Sequence, residues 1–182
     1  MKAIIFDFDG TLVDTMPLHY EAYKHVLLEY NIELTAEHFY KNTGGAASNV
    51  IPKLLNGSSC PLSVSELHTK KKSYVEKLIN TIEIKPLETA KLLNIFEGKM
   101  AIASAGSSAH VHKIIDKLNW WRYFDVVLTG EDVQHGKPDP EIFLLAAKRM
   151  HEEPENCFVF EDRDDGIEAA IAANMLYFDV RK

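Results

Sequence analysis

The sequence predicts an α/β fold, with a Rossmann-like parallel sheet covered by helices on both faces and an inserted all-helical segment. Short apolar runs of strand length alternate with helical patterns, and these runs lie at residues 2–8, 100–104, 124–128, 157–161 and 176–180. Such alternation is typical of parallel sheets whose strands are joined by helices. The segment between the first run and the second contains helical patterns and no convincing strand, which indicates an insertion.

The insertion is long enough to form a domain of its own. Its helical patterns cover residues 17–30, 35–41, 48–55 and 63–82. Pro86 helps to end the last of these helices. We therefore predict a core domain made of residues 1–14 and 87–182, and a helical cap made of residues 15–86.

Length and composition exclude several classes of protein. The 182 residues are 46% hydrophobic and 26% charged, as in globular domains, and two cysteines are too few for a disulfide framework. The net charge of −7 argues against a nucleic-acid partner, which usually needs a basic surface. The N-terminus does not resemble a signal peptide, and no run approaches the roughly 20 apolar residues of a membrane span. We expect a cytoplasmic monomer that acts on a small molecule, with no nucleic-acid or membrane partner.

Polar side chains follow four of the five predicted strands, at the point where each strand ends. In open parallel sheets, ligands bind outside the carboxyl ends of the strands. The residues found there, in chain order, are Asp7, Asp9, Ser104, Lys137, Glu161 and Asp162. We therefore expect the side chains of Asp7, Lys137 and Asp162 to lie within about 10 Å of one another, close enough to share one phosphoryl group.

The chemistry of this set indicates phosphoryl transfer. Clustered carboxylates repel one another unless a cation joins them, and Mg²⁺ is typically bound by a few carboxylates together with substrate phosphate. A carboxylate can act as the covalent nucleophile, and a second acid can protonate the leaving oxygen and then activate water. Asp7 and Asp9 suit these two roles. Lys137 supplies charge for the phosphate, and the Ser104 hydroxyl with nearby backbone amides would hold its oxygens.

Four segments of the chain resemble the four motifs of the haloacid dehalogenase (HAD) superfamily. They are DFDGT at 7–11, Ser104, Lys137 within GKPDPEIF, and FEDRDDGIEAA beginning at Phe160. A helical cap directly after the first motif looks like the subgroup that contains beta-phosphoglucomutase and sugar-phosphate phosphatases. Residues 12–23 and 135–150 and the final YFDVRK look closest to bacterial fructose-1-phosphate phosphatase-like members.

The resemblance implies a role for each residue of the set. Asp7 would be the nucleophile and a metal ligand, and Asp9 the general acid and base, which binds the metal through its backbone carbonyl. Ser104, Ala105 and Lys137 would hold phosphate. Asp162 with Glu161 would complete a Mg²⁺ site, although Glu161 could instead lie behind the metal ligands.

Three residues of the cap would contact substrate by the same resemblance, and each has a plainer alternative. His19 faces the active site in related enzymes, but it could be a half-buried helix residue. Lys70 reaches toward substrate in mutase-like relatives, but its lysine run is also typical of a solvated helix face. Gly45, next to Gly44, would approach substrate closely or form a simple turn.

Two departures from the family pattern bear on function. Arg163-Asp164-Asp165 stands where the subgroup usually has a small residue first, so these side chains either face solvent or place Asp165 beside the metal. The cap loop at 43–49 lacks the arginine with which mutase-like members hold a second phosphate. A phosphatase is therefore the leading prediction, with a phosphohexomutase and a non-catalytic phosphate-ligand sensor as alternatives.

Two histidines of the predicted core domain lie close together outside these motifs. His110 and His112 lie two residues apart on a predicted helix and therefore point to different sides. We expect both to be surface residues and not a zinc site.

Overall fold

A computed structural model describes residues 1–43 and 47–182 and divides them into two compact units. One unit comprises Met1–Thr15 and Ile84–Lys182, and the other comprises Met16–Glu83. The first contains the sheet and the second is helical. We predicted that residues 15–86 form a cap that covers the substrate, and this functional assignment stays a prediction.

The secondary structure follows the predicted alternation. The strands are β1 (Ala3–Phe6), β2 (Val13–Asp14), β3 (Lys85–Pro86), β4 (Lys99–Ala103), β5 (Val126–Leu128), β6 (Cys157–Glu161) and β7 (Leu176–Asp179). The α-helices are α1 (Met16–Leu28), α2 (Ala36–Asn42), α3 (Ala47–Leu55), α4 (Val64–Leu78), α5 (Ser108–Leu118), α6 (Glu141–Arg149) and α7 (Asp164–Ala172). Short 3₁₀ turns lie at Glu88–Asn94, Trp121–Tyr123 and Pro154–Asn156.

The main sheet has five parallel strands in the order β5-β4-β1-β6-β7. Every residue of the central strand β1 is buried, because helices cover both faces of the sheet. This sheet, with helices on both faces, confirms the predicted Rossmann-like α/β fold class.

The pairing register brings the strand ends to one edge. Phe6, the last residue of β1, pairs with Ile102 of β4 and with Phe160 of β6. The residues that follow Ile102 and Phe160, on the two strands adjacent to β1, therefore lie beside Asp7. This register places Asp7 next to Glu161, although the two residues are 154 positions apart in the chain.

Two linkers pair with each other, which the sequence did not predict. β2 and β3 form an antiparallel pair in which Val13 lies opposite Pro86. The amide of Leu87 also donates to the carbonyl of Leu12, 2.9 Å away. Strands of two residues are too short to show a periodic pattern, which is why neither was recognised.

The helical unit has an apolar centre of its own. Its buried side chains come from all four helices and from the turn after α1, and they include Tyr23, Val26, Leu27, Leu34, Phe39, Val50, Ile51, Leu54 and Leu67. Its longest helix, α4, begins with a capping box in which the side chains of Ser63 and Glu66 each accept a hydrogen bond from the other residue's backbone amide. Among the described residues, no helix combines the length and apolarity needed to cross a membrane.

Ile5 tests the central position of β1. Its side chain is fully buried in the middle strand, so Ile5→Ala should lower the free energy of unfolding by about 2–5 kcal/mol through lost burial and a residual cavity. The matched control is Ile171→Ala on α7, where 57% of the residue is exposed, and the change should be within about 0.5 kcal/mol. Urea denaturation measures both, and equal losses would contradict the strand order.

Candidate active site

Asp7 lies at the carboxyl end of the central strand and is almost fully buried. Its amide donates to the carbonyl of Phe160 at 2.9 Å, which extends the ladder between β1 and β6 by one residue. Burial raises the pKa of Asp7 well above its ordinary value, Lys137 opposes this shift, and the charges of Glu161 and Asp162 add to it. The negative charge of Asp7 is thus unfavourable in this buried position unless a positive charge lies next to it.

Lys137 provides part of that compensation. Its Nζ donates to Oδ1 of Asp7 at 2.6 Å and to Oε1 of Glu161 at 2.8 Å, in a loop that precedes α6. Burial by itself lowers the pKa of Lys137, but the charges of the two carboxylates outweigh burial, so that the pKa is raised. The ammonium is therefore a fixed positive charge between two acids from neighbouring strands.

Glu161 holds this arrangement together. Its side chain has no exposed surface, and while Oε1 accepts from Lys137, Oε2 accepts from the amides of Asp162 and Arg163 at 2.6 and 3.0 Å. Three donors already engage the two oxygens. This geometry favours Glu161 as the group that positions Lys137 and the loop after β6, which is the alternative that the sequence left open.

Asp162 lies beside the turn that follows β1. Its Oδ1 accepts from the Thr11 hydroxyl at 3.3 Å, and Gly10 passes so close that a Cβ there would overlap Oδ2 of Asp162. Gly10 also has a φ of +88°, which favours glycine. Burial, and then the charge of Glu161, raise the pKa of Asp162 to about 6. The positive φ at Gly10 and the closeness of the Asp162 carboxylate thus both require glycine at this position of the DFDGT motif.

The residues present fit a divalent cation. One oxygen from each of Asp7, Glu161 and Asp162 lies within 4.8 Å of the others. Three carboxylates and the single ammonium of Lys137 leave two negative charges in excess when all are ionised. Oxygen donors at this spacing are those that Mg²⁺ prefers, and a divalent cation would balance the excess charge.

Ser104 stands at the end of the adjacent strand β4. It is buried, its amide donates to the carbonyl of Leu128 at 3.0 Å, and its hydroxyl oxygen accepts from the amide of Gly106 at 3.0 Å. Ala105, which follows it, is exposed. A serine hydroxyl and the turn after it therefore occupy the edge of the sheet on the other side of β1 from β6.

The second acid of the motif, Asp9, contacts a residue whose location we predicted incorrectly. Oδ1 of Asp9 lies 2.8 Å from Nε2 of His110, and His110 is only 7% exposed, so it is not a surface residue. A signal was available in the sequence, since His110, Val111, Ile114 and Ile115 follow the helical period of a buried face. His112 behaves as expected of the other side, being partly exposed with its ring against Trp121.

Within the helical unit, the structure separates the neighbouring lysines. Lys70 pairs with the carboxylate of Glu29, and its Nζ donates to the hydroxyl of Tyr30 at 3.1 Å. Lys71 is buried instead, with Nζ 3.0 Å from Nδ1 of His19 and 5.2 Å from the centre of the Tyr23 ring. The predicted substrate contacts of His19 and Lys70 stay predictions. The sequence did not indicate that Lys71 is the buried residue of this lysine run. Gly45 lies outside the described residues.

The charged residues after Asp162 pair with one another. The guanidinium of Arg163 donates from Nε to Oδ1 of Asp165 at 2.9 Å and from its terminal nitrogen to Oδ2 at 2.7 Å. This bidentate contact lowers the pKa of Asp165. Asp165 is therefore held by a partly exposed arginine, closer to the solvent-facing alternative than to a place among the metal ligands.

A buried aspartate, lysine and glutamate at the carboxyl edge of a Rossmann-like sheet, beside further acids and a serine, define a class of α/β hydrolytic enzymes. The model of the haloacid dehalogenase-like hydrolases matches residues 4–180. The chain therefore belongs to this family, which confirms both the predicted family and the predicted enzyme class, an HAD-family phosphomonoester hydrolase.

Individual relatives agree with this assignment. The chain is 34% identical over 181 residues to a fructose-1-phosphate phosphatase of Escherichia coli, covering 98% of this chain and 95% of the relative. It is also 34% identical over 181 residues to a phosphorylated carbohydrates phosphatase of Thermotoga maritima, with 96% and 82% covered. Among solved structures, a beta-phosphoglucomutase of Clostridium difficile is similar with a TM-score of 0.73 and 27% identity, over 98% of this chain and 84% of that one.

Gly166 tests the position of Glu161. A Cβ at Gly166, in the first turn of α7, would overlap the Glu161 carboxylate, so Gly166→Ala should displace that side chain and its contact with Lys137. We expect a net destabilisation of about 1–3 kcal/mol, although alanine alone favours a helix by about 1 kcal/mol. The control is Gly136→Ala, where a Cβ meets no atom within 4 Å. Thermal unfolding that is unchanged in both variants would contradict the placement of Glu161.

Proposed function

We propose that the protein is a magnesium-dependent phosphatase that hydrolyses a small phosphorylated metabolite through an aspartyl-phosphate on Asp7. The observation that carries the proposal is the buried contact of Asp7 with Lys137 at 2.6 Å, next to two further carboxylates. A carboxylate fixed beside an ammonium can meet a phosphoryl group that the same ammonium attracts. A surface cluster of acids would have no such buried counter-ion.

In the first step, a carboxylate oxygen of Asp7 forms a bond to phosphorus. The bond from phosphorus to the ester oxygen of the substrate breaks, and that oxygen keeps the electron pair. It takes a proton from the carboxyl group of Asp9, which becomes ionised. The organic part leaves as an alcohol, and the phosphoryl group stays on Asp7.

In the second step, the oxygen of a water molecule attacks the same phosphorus. The ionised carboxylate of Asp9 takes a proton from that water, and the bond from phosphorus to the Asp7 oxygen breaks with its electron pair returning to Asp7. Inorganic phosphate is released, and both acids return to their starting protonation states. The sum is one phosphate ester and one water consumed for one alcohol and one phosphate.

The surrounding residues have supporting roles in both steps. Lys137 places positive charge beside the transferred group, and the Ser104 hydroxyl with the backbone at Ala105 holds its oxygens. Asp7 and Asp162, with the Asp9 backbone carbonyl, would hold Mg²⁺, and Glu161 would support them through Lys137. When bound, the cation neutralises phosphate charge so that an anionic carboxylate can approach.

The substrate class follows from the relatives. Two phosphatases of phosphorylated sugars at 34% identity support a sugar phosphate such as fructose 1-phosphate. The alternative is a phosphohexomutase, which the similarity to a beta-phosphoglucomutase favours. The absence of an arginine from residues 43–49 speaks against it, because a mutase must hold both ends of a bisphosphate.

Asp7→Asn tests the covalent mechanism. With fructose 1-phosphate and a panel of other phosphosugars, phosphate release should fall by about 10³-fold or more, because the amide is a poor nucleophile. The wild-type protein mixed with substrate and quenched in acid should carry a phosphate that hydroxylamine releases, and the variant should carry none.

The matched control is Asp164→Asn, since the Asp164 side chain is 83% exposed and, within residues 1–43 and 47–182, forms an ion pair with Arg181 alone. It should retain wild-type turnover. Activity of Asp7→Asn equal to that of the control would refute the mechanism. Conversion of beta-glucose 1-phosphate to glucose 6-phosphate without free phosphate would instead establish the mutase.

Removal of the metal tests the cation. Chelation with EDTA should abolish phosphate release, and added Mg²⁺ should restore it. In Asp162→Asn, the Mg²⁺ concentration for half-maximal activity should rise by about 10-fold or more, because one charged oxygen ligand is lost. Asp164→Asn again serves as the control. Full activity in excess EDTA would exclude a metal requirement.

A further inference from the structure

The mechanism above does not use His110, yet this residue contacts its proton carrier. Nε2 of His110 lies 2.8 Å from Oδ1 of Asp9, across 101 positions of sequence, and both residues belong to the sheet unit. The imidazole is 7% exposed, whereas 26% of the Asp9 side chain is exposed. One oxygen of Asp9 thus faces a buried histidine, while part of its side chain remains accessible.

The location of His110 argues against simple packing. Its neighbours on the buried face of α5 are Val111, Ile114 and Ile115, all with no exposed surface. A polar ring on such a face is costly unless it forms hydrogen bonds. An ionised carboxylate can only accept, so Nε2 is the nitrogen that carries the hydrogen and donates whenever Asp9 is ionised.

The backbone holds the histidine firmly. α5 begins directly after the turn that contains Ser104, and the Ser107 side chain caps it by accepting from the His110 amide at 3.4 Å. A Cβ at Gly106 would lie 3.1 Å from the Ser104 hydroxyl oxygen and 3.4 Å from Cδ2 of His110. The turn that carries the predicted phosphate-binding serine therefore also fixes the imidazole.

We propose that His110 is the positioning residue for Asp9. Because Nε2 of His110 lies within hydrogen-bonding distance of Oδ1, this contact limits rotation of the Asp9 carboxyl group and orients it for the proton transfers to the leaving oxygen and from water. This inference rests on the proposed function, since it assigns Asp9 the role of general acid and base. It adds a residue that lies outside the four motifs.

Two amide substitutions separate the hydrogen bond from the bulk of the ring. The Gln amide nitrogen reaches about as far as Nε2 of histidine, whereas the shorter Asn amide nitrogen reaches only as far as Nδ1. His110→Gln should therefore keep the contact with Asp9, and His110→Asn should lose it. His112→Asn, two residues along the same helix and partly exposed, is the control.

The experiment measures how the loss of kcat/KM in each variant depends on the leaving group of the substrate. A sugar phosphate expels an alkoxide that needs a proton, whereas p-nitrophenyl phosphate expels a stable phenolate that does not. Because kcat/KM reports the first step, His110→Asn should lower it by about 10–100-fold for the sugar phosphate, part of the 10²–10⁴ that general acid catalysis contributes. For p-nitrophenyl phosphate the loss should stay below about threefold, and His110→Gln should be within about threefold of wild type on both.

The outcomes separate this inference from the proposed function. Equal losses on both substrates in His110→Asn, or a His110→Gln variant as impaired as His110→Asn, would overturn the positioning role. So would wild-type behaviour of His110→Asn while Asp9→Asn shows the leaving-group-dependent loss, and in that case the proposed function stands. Continued hydrolysis by Asp7→Asn would instead remove the proposed function. If His110→Asn does not fold, His110→Leu fills the same space without a donor and carries the same expectations.

Discussion

The buried contact of Lys137 with Asp7 and Glu161 is the constraint on which the site depends. An ammonium and two carboxylates removed from water are unfavourable unless each is closely paired, so the three must meet within hydrogen-bonding distance or the fold loses stability. They come from β1, from the loop before α6 and from the end of β6. The register between β1 and β6 is therefore required by the charges that it brings together as well as by backbone hydrogen bonds.

The glycines at this edge follow from the same constraint. Gly10 and Gly166 leave room for the carboxylates of Asp162 and Glu161, where any Cβ would overlap them. Burial, together with the neighbouring carboxylates, raises the pKa values of Asp7 and Asp162, and two negative charges remain in excess when all groups of the cluster are ionised. A cation and a phosphate ester arriving together would relieve that imbalance, so the groups that limit stability are those suited to bind the substrate.

Most of the sheet and its acids could be predicted, because both leave local signals. Apolar runs ended by acids predict strands, and parallel order brings their ends together. Other features depend on geometry that spacing does not reveal. In the lysine run of α4, a rotation of about 100° per residue decides that Lys71 is buried while Lys70 pairs with Glu29, and three identical residues give no period to choose between them. His110 was missed for a different reason, since its helical phase was visible but its partner is distant in sequence.

In the proposed mechanism, the partners of Asp7 and Asp9 account for the different chemistry of two identical residues that lie two positions apart. Asp7 is buried, which raises its pKa, and the ammonium of Lys137 beside it opposes that rise and so favours the ionised form that a nucleophile needs. Asp9 is partly exposed and one of its oxygens contacts the His110 imidazole, which in the proposed mechanism orients the carboxyl group that gives and takes a proton. Catalysis in two steps needs both behaviours at once. The backbone cannot provide that difference over two residues, and it comes from Lys137 and His110, which arrive on separate elements.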